Sequence, residues 1–229
     1  MLSRQARPAD SQPRTREVEK MSARIALLVA LSIWAFLPSA VADEAVTTQT
    51  IVLLRHGEKQ ARGLGQLTCQ GLNRALALPA VIGKLFGRPD AIFAPDPAQT
   101  VSEYGQTYGY VRPLATIEPT AVAFGLPVDA SIGVFDLDAL RYKLELPAYW
   151  NNLLVVAWEG SEVPRLARLL VADNGGNPDS VPAWKGNDDF DSLYVIRIKH
   201  ASEGATVTFE RLREGLDGQP AACPGHAPG

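Results

Sequence analysis

The stretch Ile51 to Lys59 reads IVLLRHGEK and carries one of the chain's three histidines, between an arginine and a glycine. That trio suits phosphoryl transfer. A neutral imidazole at His56 can attack phosphorus through one ring nitrogen while a backbone carbonyl holds the N–H of the other and fixes the tautomer. The guanidinium of Arg55 offers a fork of donors to phosphate oxygens and stays charged at any working pH. Gly57 lets the backbone turn sharply and approach an anion closely.

Three residues in a row are a weak signal, so what precedes them matters. Ile51 to Leu54 is a continuous apolar run with β-branched members, the pattern of a parallel strand buried on both faces. Gly71 to Phe86 has helical periodicity, with Pro79 as a point of kink or division and Gly87 as a stop. Ala91 to Ala94 reads as a second strand, leading into a loop through Val111. Arg112 to Phe124 reads as a helix ended by Gly125, and a further helix is expected between Asp136 and Leu146. Leu153 to Trp158, LLVVAW, is the strongest strand in the chain, and Val163 to Ala172 a helix opened by Pro164. SLYVIRI and ATVTFERL then alternate around a short polar turn, as a hairpin does.

Alternating strands and helices with a terminal hairpin predict an α/β three-layer sandwich. Its central sheet is mostly parallel, with helices on both faces and an antiparallel edge hairpin. Ligands of such sheets bind at the carboxyl ends of the strands, where Arg55, His56 and Gly57 fall.

These residues resemble those of the histidine phosphatase superfamily, also called phosphoglycerate-mutase-like, in which an R-H-G motif closes the first strand. LTCQGLNRA (Leu67 to Ala75) is similar to that family's L-T-x-x-G-x-x-Q/R-A helix start. DAIFAPDPA (Asp90 to Ala98) is similar to its second strand. RPLATIEPTA (Arg112 to Ala121) is similar to the helix whose arginine is the second phosphate ligand, which the resemblance assigns to Arg112. The likeness runs from about Thr50 to Ile198. It implies a phosphohistidine intermediate on His56, with Arg55, Gly57 and Arg112 holding a small phosphorylated substrate or a phosphoprotein. It implies neither metal nor organic cofactor, since the arginines supply the charge stabilisation.

One departure is sharp. The resembling branch carries A-W-E-H-x-x-I-P after its central strand, and here VVAWEGSEVP places Gly160 where the second histidine belongs. Losing one transition-state donor of that kind costs on the order of 10² to 10³ in rate. Two readings stay open, a phosphatase of reduced activity and an impaired relative that binds a phosphorylated ligand or partner. Glu159 and Glu162 flank Gly160, and ionised carboxylates there repel phosphate. Glu162, two places beyond the expected histidine, is the candidate general acid, and Asp129 is the alternative. His200 is expected at the sheet edge, His226 in the tail, and Trp158 in the core.

The chain has 229 residues and a net charge of −3. Ile25 to Leu37 is apolar but shorter than the roughly 20 residues a bilayer span needs. Basic residues precede it and SAVA (Ser39 to Ala42) follows, so residues 1–42 read as a leader with a secretory signal peptide, the alternative being an uncleaved anchor. Cleavage leaves 187 residues with 16 basic and 22 acidic side chains, a net charge of −6. That balance argues against nucleic acid or anionic lipid as partner. An exported protein, periplasmic or secreted and with no stable membrane insertion after cleavage, is expected. It would comprise one domain over 43–216 and a flexible tail over 217–229. Export permits a Cys69–Cys223 disulfide, and two free thiols are the alternative.

Overall fold

Along β1 (Thr47–Arg55), Ile51 and Leu53 enter one hydrophobic cluster and Val52 and Leu54 another, all fully buried. A period of two with apolar side chains at four successive positions forces cover on both sides of this part of the strand. The computed structural model describes residues 46–184, 186 and 188–225. The expected leader and His226 lie outside them.

Chain order after β1 is β2 (Lys59–Gln60), β3 (Gly63–Leu67), α1 (Cys69–Leu85), β4 (Ala91–Pro95), β5 (Thr100–Glu103) and β6 (Gln106–Gly109). Then follow α2 (Arg112–Phe124), β7 (Val128–Ile132), α3 (Leu137–Leu144), β8 (Leu153–Trp158), α4 (Val163–Asp173), β9 (Ser192–Ala201) and β10 (Gly204–Arg213). The main sheet has six strands in the order β10-β9-β1-β8-β4-β7. β1, β8, β4 and β7 run parallel, while β9 pairs antiparallel with β1 and β10 antiparallel with β9. Leu78 and Ile82 of α1 and Ile117 and Ala121 of α2 cover one face. Leu140 and Leu144 of α3 and Leu166 and Leu170 of α4 cover the other. The molecule is the α/β three-layer sandwich with an antiparallel edge hairpin.

Several details differ from the sequence reading. The segment expected as a loop before α2 contains the β5–β6 hairpin, whose two-residue turn places Tyr104 (φ 53°) and Gly105 (φ 75°) in the left-handed region. A type I′ turn demands this of both residues, and Tyr-Gly is not its usual signature. β2, β3 and β7 are further additions, all short and mixed in polarity. α1 runs through Pro79 as one helix. The tail, expected to be flexible, is tied as far as it is described. Cys69 and Cys223 are bridged across a Cα–Cα distance of 4.5 Å. Asn73 Nδ2 donates to the carbonyls of Pro220 and Ala222, both at 2.8 Å.

Candidate active site

The site forms where β1 and β8 end side by side, Arg55 in register with Trp158. The His56 N–H donates to the Trp158 carbonyl at 3.1 Å. From there the loop is strapped on two sides. The Gly57 N–H donates to Thr116 Oγ1 at 2.9 Å, and that hydroxyl donates to the Arg112 carbonyl at 2.8 Å, joining the loop to the first turn of α2. On the other side Thr68 caps α1 by accepting from the Gly71 N–H, and its own N–H donates to the Glu58 carbonyl at 2.8 Å. Gly71 has to be glycine, since a Cβ there would lie 2.4 Å from the Glu58 carbonyl oxygen. The Glu58 carboxylate takes Arg74 Nε and Nη2 at 2.8–3.1 Å.

His56 is fully buried. Its Nδ1 lies 2.7 Å from the Gly57 carbonyl oxygen. A carbonyl only accepts, so Nδ1 carries the proton and the neutral ring presents the Nε2 lone pair. Burial lowers the imidazole pKa, against the opposing pull of Glu159, and favours this neutral form. Tyr110 meets the ring edge-on at 6.4 Å, and Phe190 flanks it at 6.2 Å.

The carboxylate nearest the imidazole belongs to Glu159, with Oε2 3.4 Å from Nε2. It accepts from the Tyr110 hydroxyl. Burial disfavours its charge, but His56, Tyr110 and Arg55 outweigh burial and hold it well below the usual carboxylate range. Glu162, the acid expected from the sequence, is instead held by Arg165 Nη1 at 2.6 Å and approached by the Ser161 hydroxyl at 3.4 Å. Asp129 is paired with Lys143.

Arg55 is buried, with its guanidinium 4.2 Å above the Phe190 ring and Nη1 donating to the Asp189 carbonyl at 3.3 Å. Its side chain lies against Gly160, where a Cβ would come within 2.7 Å of Arg55 Cδ and Nε. The space beside Gly160, where the sequence resemblance expects a histidine, is therefore partly filled by Arg55. Arg112 is also buried, and its two terminal nitrogens grip the Glu103 carboxylate at 2.8 and 2.9 Å. Glu103 also takes Lys59 Nζ at 3.1 Å. The Arg112 guanidinium lies 4.9 Å over the Tyr110 ring. Among the described residues, Arg112 Nε and His56 Nε2 are buried polar atoms with no hydrogen-bond partner.

Arg55, His56, Arg112 and Gly160 thus gather around Tyr110 and Glu159. A cleft of about 230 Å³, lined by Arg55, Glu159, Gly160, Ser161, Trp184 and Gly186, opens beside them. A larger hollow of about 570 Å³ lies at the start of β1, where His200 stacks on Trp150 at 4.3 Å. His200 is in register with Thr47, nine residues before His56 and so roughly 30 Å from it by strand rise, too far to act at the same site. Trp158 is in the core, its indole N–H donating to the Val134 carbonyl. Tyr110 and Glu103 escaped the sequence reading because only the fold brings them to Arg112.

No family model matches the chain, and no curated protein does. Among solved structures it is similar to a mycobacterial glucosyl-3-phosphoglycerate phosphatase in complex with inorganic phosphate. The identity is 18%, over 71% of this chain and 95% of that one, with a TM-score of 0.47. It is also similar to a chain assigned as the phosphohistidine phosphatase SixA from Nakamurella multipartitia, at 15% identity over 71% and 95% with a TM-score of 0.48. A third is mycobacterial hydrolase 2, at 14% identity over 71% and 89% with a TM-score of 0.47. At such values the likeness is one of chain path, and the chemistry of the pocket rests on its own residues.

Proposed function

We propose that the protein is an exported phosphatase that hydrolyses a phosphomonoester or phosphoramidate through a phosphohistidine on His56, at reduced rate. The observation that carries this is the state of the imidazole. Nδ1–H is held by the Gly57 carbonyl, and Nε2 is buried without a hydrogen-bond partner among the described residues. A buried, unpartnered acceptor calls for a ligand, and electrophilic phosphorus flanked by two guanidinium groups answers it. Arg55 and Arg112 hold the equatorial oxygens, and water releases the phosphoryl group. Support for export comes from the leader and from a disulfide, which persists in oxidising compartments. The reduced rate follows from Gly160, which removes one transition-state donor, a loss of about 10² to 10³.

Gly160 also supports a second reading, a protein that binds a phosphorylated ligand without turning it over. The two separate in one assay, hydrolysis of p-nitrophenyl phosphate by the wild type and by His56→Ala. Slow turnover that His56→Ala lowers by on the order of 10³ or more supports the phosphatase. A wild type that binds inorganic phosphate and hydrolyses nothing supports the binder.

A further inference from the structure

Glu159 raises a question of proton placement. Nδ1 of His56 already gives its proton to Gly57, so Nε2 faces Glu159 Oε2 with a lone pair at 3.4 Å. Two acceptors oppose each other in a buried space, and a phosphoryl group arriving at Nε2 would crowd the same space with more negative oxygens. One proton on Glu159 relieves both conflicts, because it converts a repelling oxygen into a donor. Arg55 and His56 at the end of β1 and Tyr110 at the entry to α2 hold the carboxylate ionised before a substrate arrives. The proton therefore has to come on a singly protonated phosphate, whose negative charge beside Glu159 favours the carboxyl form. The side chain of Glu159 is 21% exposed and lines the cleft, so it has a route to solvent.

We propose that Glu159 is the general acid and base of this site, a role that rests on the phosphohistidine reading of His56. Nε2 attacks phosphorus, and the P–O bond breaks with its electron pair on the ester oxygen. The Glu159 proton moves to that oxygen and an alcohol leaves. In the second half the Glu159 carboxylate takes a proton from water as the water oxygen bonds to phosphorus. The N–P bond breaks and its pair returns to Nε2, which leaves inorganic phosphate, a neutral imidazole and a protonated Glu159. The carboxyl gives up its place at Nε2 to the phosphoryl group and turns toward the cleft it already lines.

Leaving-group chemistry tests this. p-Nitrophenolate departs without a proton, whereas the alkoxide of glycerol 2-phosphate needs one, and general acid catalysis is worth about 10² to 10⁴. Glu159→Gln should therefore lose about 100-fold or more on glycerol 2-phosphate and less than about 10-fold on p-nitrophenyl phosphate. In the wild type, kcat/KM for the alkyl ester should fall as pH rises through the second ionisation of the phosphate that brings the proton, with a flatter profile for the aryl ester, whose leaving group needs none. Equal losses on both esters, a gain on both, or identical pH profiles overturn the proposal. A wild type that hydrolyses neither ester, or whose activity survives His56→Ala, overturns the phosphohistidine reading and this role with it.

Discussion

Two buried arginines on adjacent helices, Arg74 of α1 and Arg112 of α2, are used in different ways. Arg74 donates from all three guanidinium nitrogens. They reach Glu58, Asp191, Glu214 and Asp217 at 2.6–3.3 Å. Arg112 spends two nitrogens on Glu103 and leaves Nε buried without a partner among the described residues. A buried charge whose donors are all met contributes to the scaffold, while one with a donor to spare is prepared for something absent. The Arg74 cluster fixes Glu58 and thereby the loop that carries His56, and Arg112 is joined to the same loop from the other side through Thr116.

The contrast breaks most visibly at Arg74. Arg74→Met strands buried carboxylates and should cost about 3–5 kcal/mol in urea unfolding; an unchanged midpoint would remove the cluster from the scaffold. Arg112→Met should cost less stability, about 1 kcal/mol, because Glu103 lies at the rim and keeps Lys59. It should weaken inorganic phosphate binding, read by calorimetry, by about 10- to 100-fold, the worth of a hydrogen bond to a charged group. If phosphate affinity holds and stability collapses instead, the two arginines do the same job.

The smallest effect sharpens the comparison. Burial, with Asp191 and Glu58 nearby and despite Arg74, pushes Glu214 up to about 8 from an ordinary 4.5. The folded state thus keeps a proton that the unfolded chain has released. The stability tied to that proton is complete below pH 4.5 and is lost as pH rises toward 8. Glu214→Gln should flatten the slope of unfolding free energy across this window, and a slope identical to wild type would show Glu214 already ionised.

The sequence was most legible where periodicity is strong. Arg112 to Phe124 and Leu153 to Trp158 have the expected limits because apolar spacing and flanking breakers both point the same way. β5 and β6 were illegible, being four residues each, largely polar and joined by Tyr-Gly. The site was legible in part. Arg55, His56 and Gly57 end a recognisable strand, whereas the choice between Glu159 and Glu162 depends on how the chain leaves β8. Glu159 is still in the turn after the strand and faces the imidazole, and three residues later the turn has carried Glu162 to Arg165. Spacing alone does not encode that rotation.

β1 lies between β8 and β9, so the strand that ends at Arg55 is completed only by segments that begin at Leu153 and Ser192. A chain delivered from its amino end therefore has β1 ready long before it has anything to pair with. Until β8 and β9 emerge, the apolar half of β1, Ile51 to Leu54, carries two open edges. The protein is thus most prone to aggregate while it is being synthesised, and must be kept unpaired until nearly all of the chain is available.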